Sequence, residues 1–303
     1  MGRIRVGNSG WSYDDWIGPF YPERSMKKEL LRIYFSRFDT VEVNSTFYNV
    51  PAKGTVISWA KEASNWENRE LTIKLPSRVS HDLCMKEEPE EFERELDRFK
   101  DNVIEPLADH GSMGALLFQA SPYFSVRGDI KYKMKSPPKV PLPEYSFGTR
   151  RLSDIAQKIA SMVPNPVIEL RNSSWLTEDL HLLGEARDIL RDNGVALAVV
   201  DGPSFPWFSE ETSRHNYIRF HGRNKEAWFR GDDDDPSARY LYDYSTSELE
   251  ERLDPIRIMA AKVDQDTRIY FNNHPKGLAP NNAERLMDLL NIQRPTGALD
   301  RFW

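Results

Sequence analysis

Short apolar runs alternate along this chain with longer segments in which apolar residues recur every three or four positions. The short runs have the length of β-strands, and most lack the alternation of apolar and polar residues that marks a half-exposed strand. Strands covered on both faces have this character. The pattern predicts eight strands, at Ile4–Gly7, Thr40–Val43, Leu71–Leu75, Ala115–Phe118, Val167–Leu170, Ala196–Val200, Tyr217–Phe220 and Arg268–Phe271.

The segments between these strands have the period of amphipathic helices. The stripe that begins at Leu30 repeats at Tyr34, and similar stripes follow most of the other strands. Ser247 with Glu250 predicts a capping box at the start of a helix after strand seven. Asn281 predicts the cap of a final helix. Helices of this kind would cover the strands from outside.

Strand and helix therefore repeat eight times, which is the pattern of a single (β/α)8 TIM-type barrel of the α/β class, covering residues 1–303. A doubly wound open sheet is the structural alternative, but polar residues at the strand ends favour a closed barrel. The sixth unit has little room for a full helix, since only Asp201 to Asn216 separates its strand from the next.

Two segments interrupt this rhythm. Residues 127–151 are rich in Lys, Tyr and Pro, and four prolines between 137 and 143 prevent regular structure, so we predict an inserted loop after strand four. Residues 225–246 form a long predicted loop after strand seven, which carries the run Asp232–Asp235. We expect that run to be solvated, and a divalent-ion site is the alternative.

Composition and charge narrow the functional classes. The chain has 303 residues and a formal net charge of −6, which opposes broad electrostatic capture of nucleic acid, although a local basic pocket is compatible with it. No apolar run approaches the roughly 18 residues of a membrane helix, and the N-terminus lacks a secretory apolar region. Cys84 is the only cysteine, which excludes an internal disulfide and a thiolate zinc cluster. We expect a cytoplasmic protein without membrane association.

Polar residues end or follow nearly every predicted strand, and in an α/β barrel this end lines the active-site face. Four pairs have i, i+2 spacing and so share one face of their strand: Glu42/Asn44, Glu169/Arg171, Arg219/His221 and Tyr270/Asn272. Ionisable residues within apolar strands are costly unless they are paired or functional. The pattern predicts one convergent site. A purely structural layer of buried ion pairs at the barrel mouth is the alternative.

Ordered motifs along nearly the whole chain resemble one known family. They are Gly7-Asn8-Ser9-Gly10-Trp11-Ser12-Tyr13, Phe38-Asp39-Thr40-Val41-Glu42-Val43-Asn44-Ser45-Thr46-Phe47-Tyr48, Lys74-Leu75-Pro76, Glu169-Leu170-Arg171, Arg219-Phe220-His221-Gly222-Arg223 and Tyr270-Phe271-Asn272-Asn273-His274. The chain resembles domain-of-unknown-function family 72, the YecE-like proteins. The resemblance implies a TIM-type barrel, often likened to those of xylose isomerase and endonuclease four, but no established activity. Asn172-Ser173 replaces a His-Pro common in the family, and residues 127–151 look like an addition.

Two strand-end carboxylates are the candidates for acid/base catalysis. Glu42 and Glu169 lie three strands apart, where one protonated and one ionised carboxyl group would flank a substrate. His221 is the third candidate, since an unperturbed imidazole titrates near neutral pH. Strand four ends in Gln119 rather than in the Asn-Glu of a retaining glycosidase, which weakens the case for ordinary glycosidase chemistry.

Other strand-end groups are predicted to bind substrate. The cations Lys74, Arg171, Arg219 and Arg223 would hold an anion, because the arginine fork matches phosphate or carboxylate. The region after strands seven and eight is also where many barrels bind phosphate. Further groups would orient hydroxyls or stack on a ring: Asn44, Gln119, Asp201, Asn272, Asn273, Trp11, Tyr48 and Trp175. The predicted ligand is a small phosphorylated or acidic, sugar-like metabolite.

By ligand count, one divalent ion could instead be held by Glu42, Glu169, Asp201 and His221. The neighbouring lysine and arginines would repel such an ion, so we predict acid/base chemistry without a metal or another cofactor. An enzyme of this kind is the main hypothesis. A nucleic-acid-binding or endonuclease-like barrel is one alternative. A metabolite-binding protein without turnover is the other.

Overall fold

Eight parallel strands form a closed barrel in sequence order in the computed structural model, which describes residues 2–86, 88–127, 147–203, 205–230 and 237–293. The strands are β1 Ile4–Ser9, β2 Thr40–Val43, β3 Glu70–Lys74, β4 Met113–Gln119, β5 Pro166–Glu169, β6 Ala196–Asp201, β7 Asn216–Phe220 and β8 Thr267–Phe271. Strand β8 closes the barrel by pairing with β1 from Ile4↔Thr267 to Asn8↔Phe271. The predicted α/β TIM-type barrel is confirmed, and the open-sheet alternative is wrong.

Helices surround the barrel. They are α1 Leu30–Phe35, α2 Lys53–Ser64, α3 Pro89–Phe99, α4 Glu105–Asp109, α5 Phe147–Met162, α6 Gly184–Asp192, α7 Lys225–Arg230, α8 Thr246–Ala261 and α9 Leu278–Leu290. Helix α3 continues into α4 through a π-helical stretch at Lys100–Ile104. Within the described ranges, no helix lies between β6 and β7, as the short sixth unit predicts. No helix of the described residues is long and apolar enough to cross a membrane.

Helix ends correct two sequence predictions. The cap of helix α8 lies two residues earlier than predicted, because Ser245 rather than Ser247 forms the capping box, with Glu248. Helix α9 is preceded by the left-handed Gly277, so Asn281 lies inside the helix rather than at its cap. The long loop predicted after strand seven contains the short helix α7. Residues 128–146 of the predicted insertion and the run Asp232–Asp235 lie outside the described residues.

Strand alternation divides the apolar side chains into two cores. Side chains that point outward join the helices in one large core, which includes Val41, Ile73 and Phe220. Side chains that point inward form a small core inside the barrel, made of Ala115, Leu117, Val167, Ala196, Ala198, Tyr217 and Tyr270. Both faces of the strands are therefore covered, which explains their nearly continuous apolar runs.

Polar layers lie above and below this inner core. At the amino ends of the strands, Arg268 binds both oxygens of Glu70 at 2.8 and 2.9 Å, and Arg5 binds Asp266 at 2.5 Å and Asp39 at 3.1 Å. These ion pairs tie the floor of the barrel together. The second polar layer lies at the carboxyl ends, where the candidate site is found.

Candidate functional site

A buried arginine joins the two predicted catalytic carboxylates. Arg219 on β7 donates from Nη2 to Glu42 Oε1 at 2.7 Å and from Nη1 to Glu169 Oε2 at 2.5 Å. All three side chains are almost completely buried. Their strands lie on different sides of the barrel, so the guanidinium spans its interior just below the mouth. The predicted convergence of strands two, five and seven is therefore present as an ion-pair layer.

Neighbouring groups fill the remaining positions of both carboxylates. Ser9, which is in register with Glu42, donates to Glu42 Oε1 at 2.6 Å, and the Tyr217 hydroxyl donates to Oε2 at 2.5 Å. Gln119, in register with Glu169, donates to Glu169 Oε1 at 2.7 Å. Burial alone would raise the pKa of both carboxyl groups, but Arg219, with Ser9 and Tyr217, holds the pKa of Glu42 below the usual range. Arg219, with His221 and Arg171, holds the pKa of Glu169 well below it. Both groups are thus ionised at neutral pH.

His221 connects the ion-pair layer to the level above it. Its Nε2 lies 3.7 Å from Glu169 Oε2, and its Nδ1 lies 3.0 Å from the amide nitrogen of Asn272. Burial and the charge of Arg219 lower the pKa of His221. Donors face both ring nitrogens, the Asn272 amide at Nδ1 and Arg219 Nη1 at 3.4 Å from Nε2, so the neutral ring accepts from one of them.

A cavity of about 330 Å³ opens at the carboxyl ends of the strands. Its described lining contains four predicted site residues, Asn44, Lys74, Tyr48 and Asn272, and four others, Tyr13, Ser237, Tyr240 and His274. Asn44 donates to Asn272 Oδ1 at 3.2 Å, so the cavity lies directly against the His221 hydrogen-bond chain. The floor of the cavity is therefore polar.

Lys74 is the cavity group with the most unusual environment. It ends β3, is only 8 % exposed, and holds its ammonium nitrogen 3.9 Å from the centre of the Phe47 ring. Among the described residues no carboxylate forms an ion pair with it. Burial, and then the charge of Arg219, lowers the pKa of Lys74 to about 7, against the opposing effect of Glu42 and Glu169.

Arg171 follows β5 and supplies positive charge near the same cavity. Its charge acts on Lys74 and Tyr240, which line the cavity, and on Glu169 below it. It also contributes, after burial, to lowering the pKa of His81 to about 4. No ion pair joins Arg171 to another residue in the described part of the chain. Its charge is therefore not cancelled locally there.

The structure changes the roles predicted for Glu42, Glu169 and His221. None of the three is among the described residues that line the cavity. They lie one layer beneath it, and the carboxylate oxygens are occupied by Arg219, Ser9, Tyr217 and Gln119. This arrangement is the one expected from the ion-pair alternative.

Asp201 and Arg223 belong to a separate cluster. Arg223 donates hydrogen bonds to both carboxylate oxygens of Asp201 at 2.8 Å, and Arg252 on α8 donates to Asp201 Oδ2 at the same distance. Arg223 also reaches Glu248 at 3.2 Å. The cluster attaches β6 and the segment after β7 to α8. The guanidinium of Arg223 is therefore paired with carboxylates of the protein, as that of Arg219 is with Glu42 and Glu169.

Three further side chains that were predicted to bind the ligand make contacts with other parts of the protein. Trp175 is fully buried, and its Nε1 donates to the carbonyl oxygen of Phe124 at 2.8 Å. Trp11 packs edge-on against Trp59 of α2 with 5.3 Å between ring centres. Asn273 points away from the cavity, since it donates to Asn282 and to the Tyr242 carbonyl, both at 2.7 Å. The aromatic rings and this amide support loops around the mouth.

Several residues of the site were not among the predicted site residues. Tyr217 shares the inward face of β7 with Arg219, so strand alternation could have identified it. Tyr13 and His274 stack face to face at 4.5 Å on loops that follow β1 and β8. Tyr240 enters the cavity from a turn at Ala238–Tyr240, where no periodic pattern indicates an inward residue.

Within the described ranges, no group of three or more His, Cys, Asp or Glu side chains is arranged to hold a metal ion. The four metal ligands considered from the sequence are divided between two clusters. Glu42, Glu169 and His221 surround Arg219, whereas Asp201 is held by Arg223 and Arg252.

Comparison with known proteins agrees with the motifs. The family model described as "Protein of unknown function DUF72" matches residues 5–300. The chain belongs to the DUF72 family. Among curated proteins, this DUF72 chain is 24 % identical to the UPF0759 protein YunF of Bacillus subtilis (strain 168) over 298 residues, covering 96 % of this chain and 95 % of YunF. The family resemblance predicted from the sequence is confirmed.

Two crystal structures of DUF72 proteins have the same fold. One, from Thermotoga maritima, has a TM-score of 0.73 and 27 % identity and covers 95 % of this chain and 99 % of its own. The other, from Enterococcus faecalis, has a TM-score of 0.75 and 23 % identity and covers 97 % and 98 %. The names of these relatives give a family but no reaction.

Proposed function

We propose that the cavity at the carboxyl end of the barrel is the active site of an enzyme that performs acid/base chemistry on a small anionic, sugar-like metabolite without a metal ion. The observation that carries this proposal is the cavity of about 330 Å³, in which Lys74, Asn44 and Asn272 meet above the Arg219 ion-pair layer. A small polar ligand fits a concave site of this size and lining.

Positive charge at the cavity supports an anionic ligand. Arg219 and Arg223 are neutralised by their own carboxylates, which leaves Lys74 and Arg171 for recognition. An arginine fork suits phosphate or carboxylate, and a lysine that is partly protonated at neutral pH adds a second donor. The same two cations would oppose a divalent metal ion at this position.

Amide groups support recognition of hydroxyls. Asn44 Oδ1 is buried and has no hydrogen-bond partner among the described residues, while the amide nitrogen of Asn44 is held by Asn272. A buried acceptor without a donor is costly, and a ligand hydroxyl would satisfy it. Tyr48 is 84 % exposed at the rim, where its ring can cover a sugar face.

Three cavity groups would move protons. Lys74 has a pKa of about 7, which suits a group that both accepts and donates near neutral pH. Burial lowers the pKa of His274 and raises that of Tyr240, so at neutral pH the imidazole is neutral and the phenol protonated. The Glu42–Arg219–Glu169 layer would fix the electrostatic environment of these groups from below.

Ligand-dependent thermal stability tests the anion requirement. We expect phosphorylated and carboxylated sugars to raise the Tm of the wild-type protein, whereas their neutral counterparts leave it unchanged. Arg171→Gln should weaken anion binding about 10- to 100-fold, the effect of losing one charge-assisted hydrogen bond. Arg214→Gln, at an exposed position before β7, is the matched control. Equal shifts with neutral sugars, or an unchanged Kd for Arg171→Gln, would contradict the anion site.

Exchange of carbon-bound hydrogen in the ligand for deuterium tests whether the protein is an enzyme. A ligand from that panel is incubated with the protein in D2O, and incorporation of deuterium at carbon is followed by NMR. Acid/base catalysis at carbon predicts exchange that is faster than in protein-free buffer, while binding without exchange supports the non-catalytic alternative. Pretreatment with EDTA should leave exchange unchanged. About one equivalent of tightly bound Mn, Zn or Fe in protein purified without chelator would contradict metal independence.

A further inference from the structure

The surroundings of Lys74 suit covalent chemistry, which goes beyond proton transfer. The side chain approaches the cavity from the end of β3, a rigid element, and is almost completely enclosed. The ring of Phe47 covers one side of its nitrogen, and the carboxylates below are held by Arg219. The nitrogen therefore has an apolar neighbour, a cavity in front of it and no described carboxylate bound to it.

We propose that Lys74 forms a covalent imine with the carbonyl group of a small substrate that also carries a phosphate or carboxylate. The inference rests on the proposed function, because it uses the same cavity and the same anionic ligand. It adds the substrate class, an anionic aldehyde or ketone, and assigns Lys74 as the nucleophile.

Electrostatics favour the neutral amine that this step requires. The charged groups facing Lys74 are Arg219 on β7 and Arg171 after β5, with Glu42 and Glu169 opposing them. Burial and the two arginines prevail, which lowers the pKa of Lys74 to about 7. About half of the amine is then unprotonated at pH 7, roughly a thousandfold more than for a lysine of unperturbed pKa. Desolvation next to cationic groups is a recognised way to activate a lysine.

The cavity also contains groups for the proton transfers. The Lys74 nitrogen attacks the carbonyl carbon, so that the C–N bond forms while the π electrons of the C=O bond move to oxygen. Tyr240, whose raised pKa keeps it protonated, lies in the cavity and can donate to that oxygen. The nitrogen loses two protons; one restores the Tyr240 phenol and the other goes to the former carbonyl oxygen, which then leaves as water when the C–O bond breaks. The C=N bond forms without any net oxidation or reduction.

Arg171 would select the anionic substrate. Arg171 follows β5 at the same end of the barrel, and its charge acts on both Lys74 and Tyr240, which line the cavity. A phosphate or carboxylate bound there would hold the carbonyl carbon beside Lys74. A neutral aldehyde lacks this anchor and should react less efficiently at the same concentration.

Reductive trapping on the wild-type protein tests the proposal. The probes are glycolaldehyde phosphate and neutral glycolaldehyde, each with cyanoborohydride, which delivers hydride to an imine carbon and leaves a stable secondary amine. Peptide mapping by mass spectrometry compares Lys74 with Lys27, an exposed lysine in the same digest. At pH 7 we expect Lys74 to be labelled at least about tenfold faster than Lys27. We also expect the phosphorylated probe to label Lys74 at about tenfold lower concentration than glycolaldehyde.

Variants check the assignment. Lys74→Arg keeps a positive charge but cannot form the imine, so it should lose the fast adduct. Labelling of Lys74 no faster than Lys27, or without preference for the phosphorylated probe, would overturn the inference. If anions raise the Tm but Lys74 is not trapped, the proposed function stands and the imine is rejected. If no anion raises the Tm and nothing is trapped, both are rejected.

Discussion

Among the described residues, only Arg219 forms ion pairs with both Glu42 and Glu169 in the barrel interior. Arg219→Met would leave two buried carboxylates without their counter-charge. We expect the free energy of unfolding to fall by about 3–5 kcal/mol, because an uncompensated buried charge is far more costly than a lost surface contact. Urea unfolding measures the change.

Arg214→Met provides the control for that variant. Arg214 also pairs with a carboxylate, Asp264, but both side chains are largely exposed. Solvent screens such a pair, so its removal should leave the urea midpoint essentially unchanged. Similar losses for the two variants would show that the interior ion-pair layer contributes no more than a surface pair.

Lys74 predicts a specific dependence of stability on pH. Its pKa is lowered in the folded state to about 7, so between pH 7 and the higher pKa of the unfolded chain the unfolded state binds more protons. Stability from this group is therefore reduced below pH 7 and recovers as pH rises. Relative to Lys74→Met, the wild-type protein should gain about 2 kcal/mol of unfolding free energy between pH 7 and pH 9.

Urea unfolding of both proteins at pH 7, 8 and 9 measures that difference, in which all other titrating groups cancel. The exposed Lys27→Met variant should follow the wild type at every pH. A constant difference between wild type and Lys74→Met would mean that the lysine titrates alike in the folded and unfolded chains, and the environment argued for it would then be wrong.

Helix α8 depends on a capping box that the sequence leaves ambiguous. Ser245 accepts from the Glu248 amide at 3.3 Å, and Glu248 accepts from the Ser245 amide at 2.9 Å. Ser245→Ala should lower the free energy of unfolding by about 1 kcal/mol, the usual value of an N-cap serine. Ser247→Ala is the matched control, and we expect it to have a much smaller effect. A larger loss for Ser247→Ala would favour the start that the sequence first indicated.

Ser245 and Ser247 illustrate what a capping motif in the sequence can and cannot determine. Each is followed by glutamate three residues later, at Glu248 and Glu250, so the motif alone fits both starts. Contacts with the rest of the protein determine where helix α8 begins, since Glu248 also accepts hydrogen bonds from Tyr242 and Arg223. Strand bounds were predictable to within about two residues. Strands that are buried on both faces are continuous apolar runs, so the ends of each run indicate the ends of the strand.

The position of the site was predictable from the sequence. Which of its side chains form ion pairs and which line the cavity was not. Strand alternation indicated that Glu42, Glu169 and Arg219 point into the barrel mouth, and they do. The same alternation places the consecutive residues Asn272 and Asn273 on opposite faces, so only the first reaches the cavity. Which carboxylate binds which arginine depends on side-chain reach across the barrel, which no local pattern encodes.

At the scale of the whole molecule, an acidic protein holds positive charge without an ion pair among the described residues at the mouth of its barrel. The net charge is −6, while Lys74 and Arg171 lie at the mouth. Negative charge over the rest of the surface repels a long polyanion, whereas a small anion experiences mainly the local field of the cavity. This distribution favours a metabolite over nucleic acid as the ligand of the barrel.

Salt dependence separates these two ligands. A fluorescein-labelled DNA duplex of about 20 base pairs should show no saturable binding to the protein at roughly 0.15 M salt, because too few cations are available to release counterions. Binding of a phosphorylated sugar should weaken only several-fold between about 0.05 and 0.2 M salt, against about a thousandfold or more for a protein with many DNA phosphate contacts. Fluorescence anisotropy and calorimetry measure the two affinities.

Tight duplex binding with a steep salt slope would contradict the metabolite assignment. A variant with glutamine in place of four lysines would then test whether the segment 127–151 provides the DNA contacts; the lysines are Lys131, Lys133, Lys135 and Lys139.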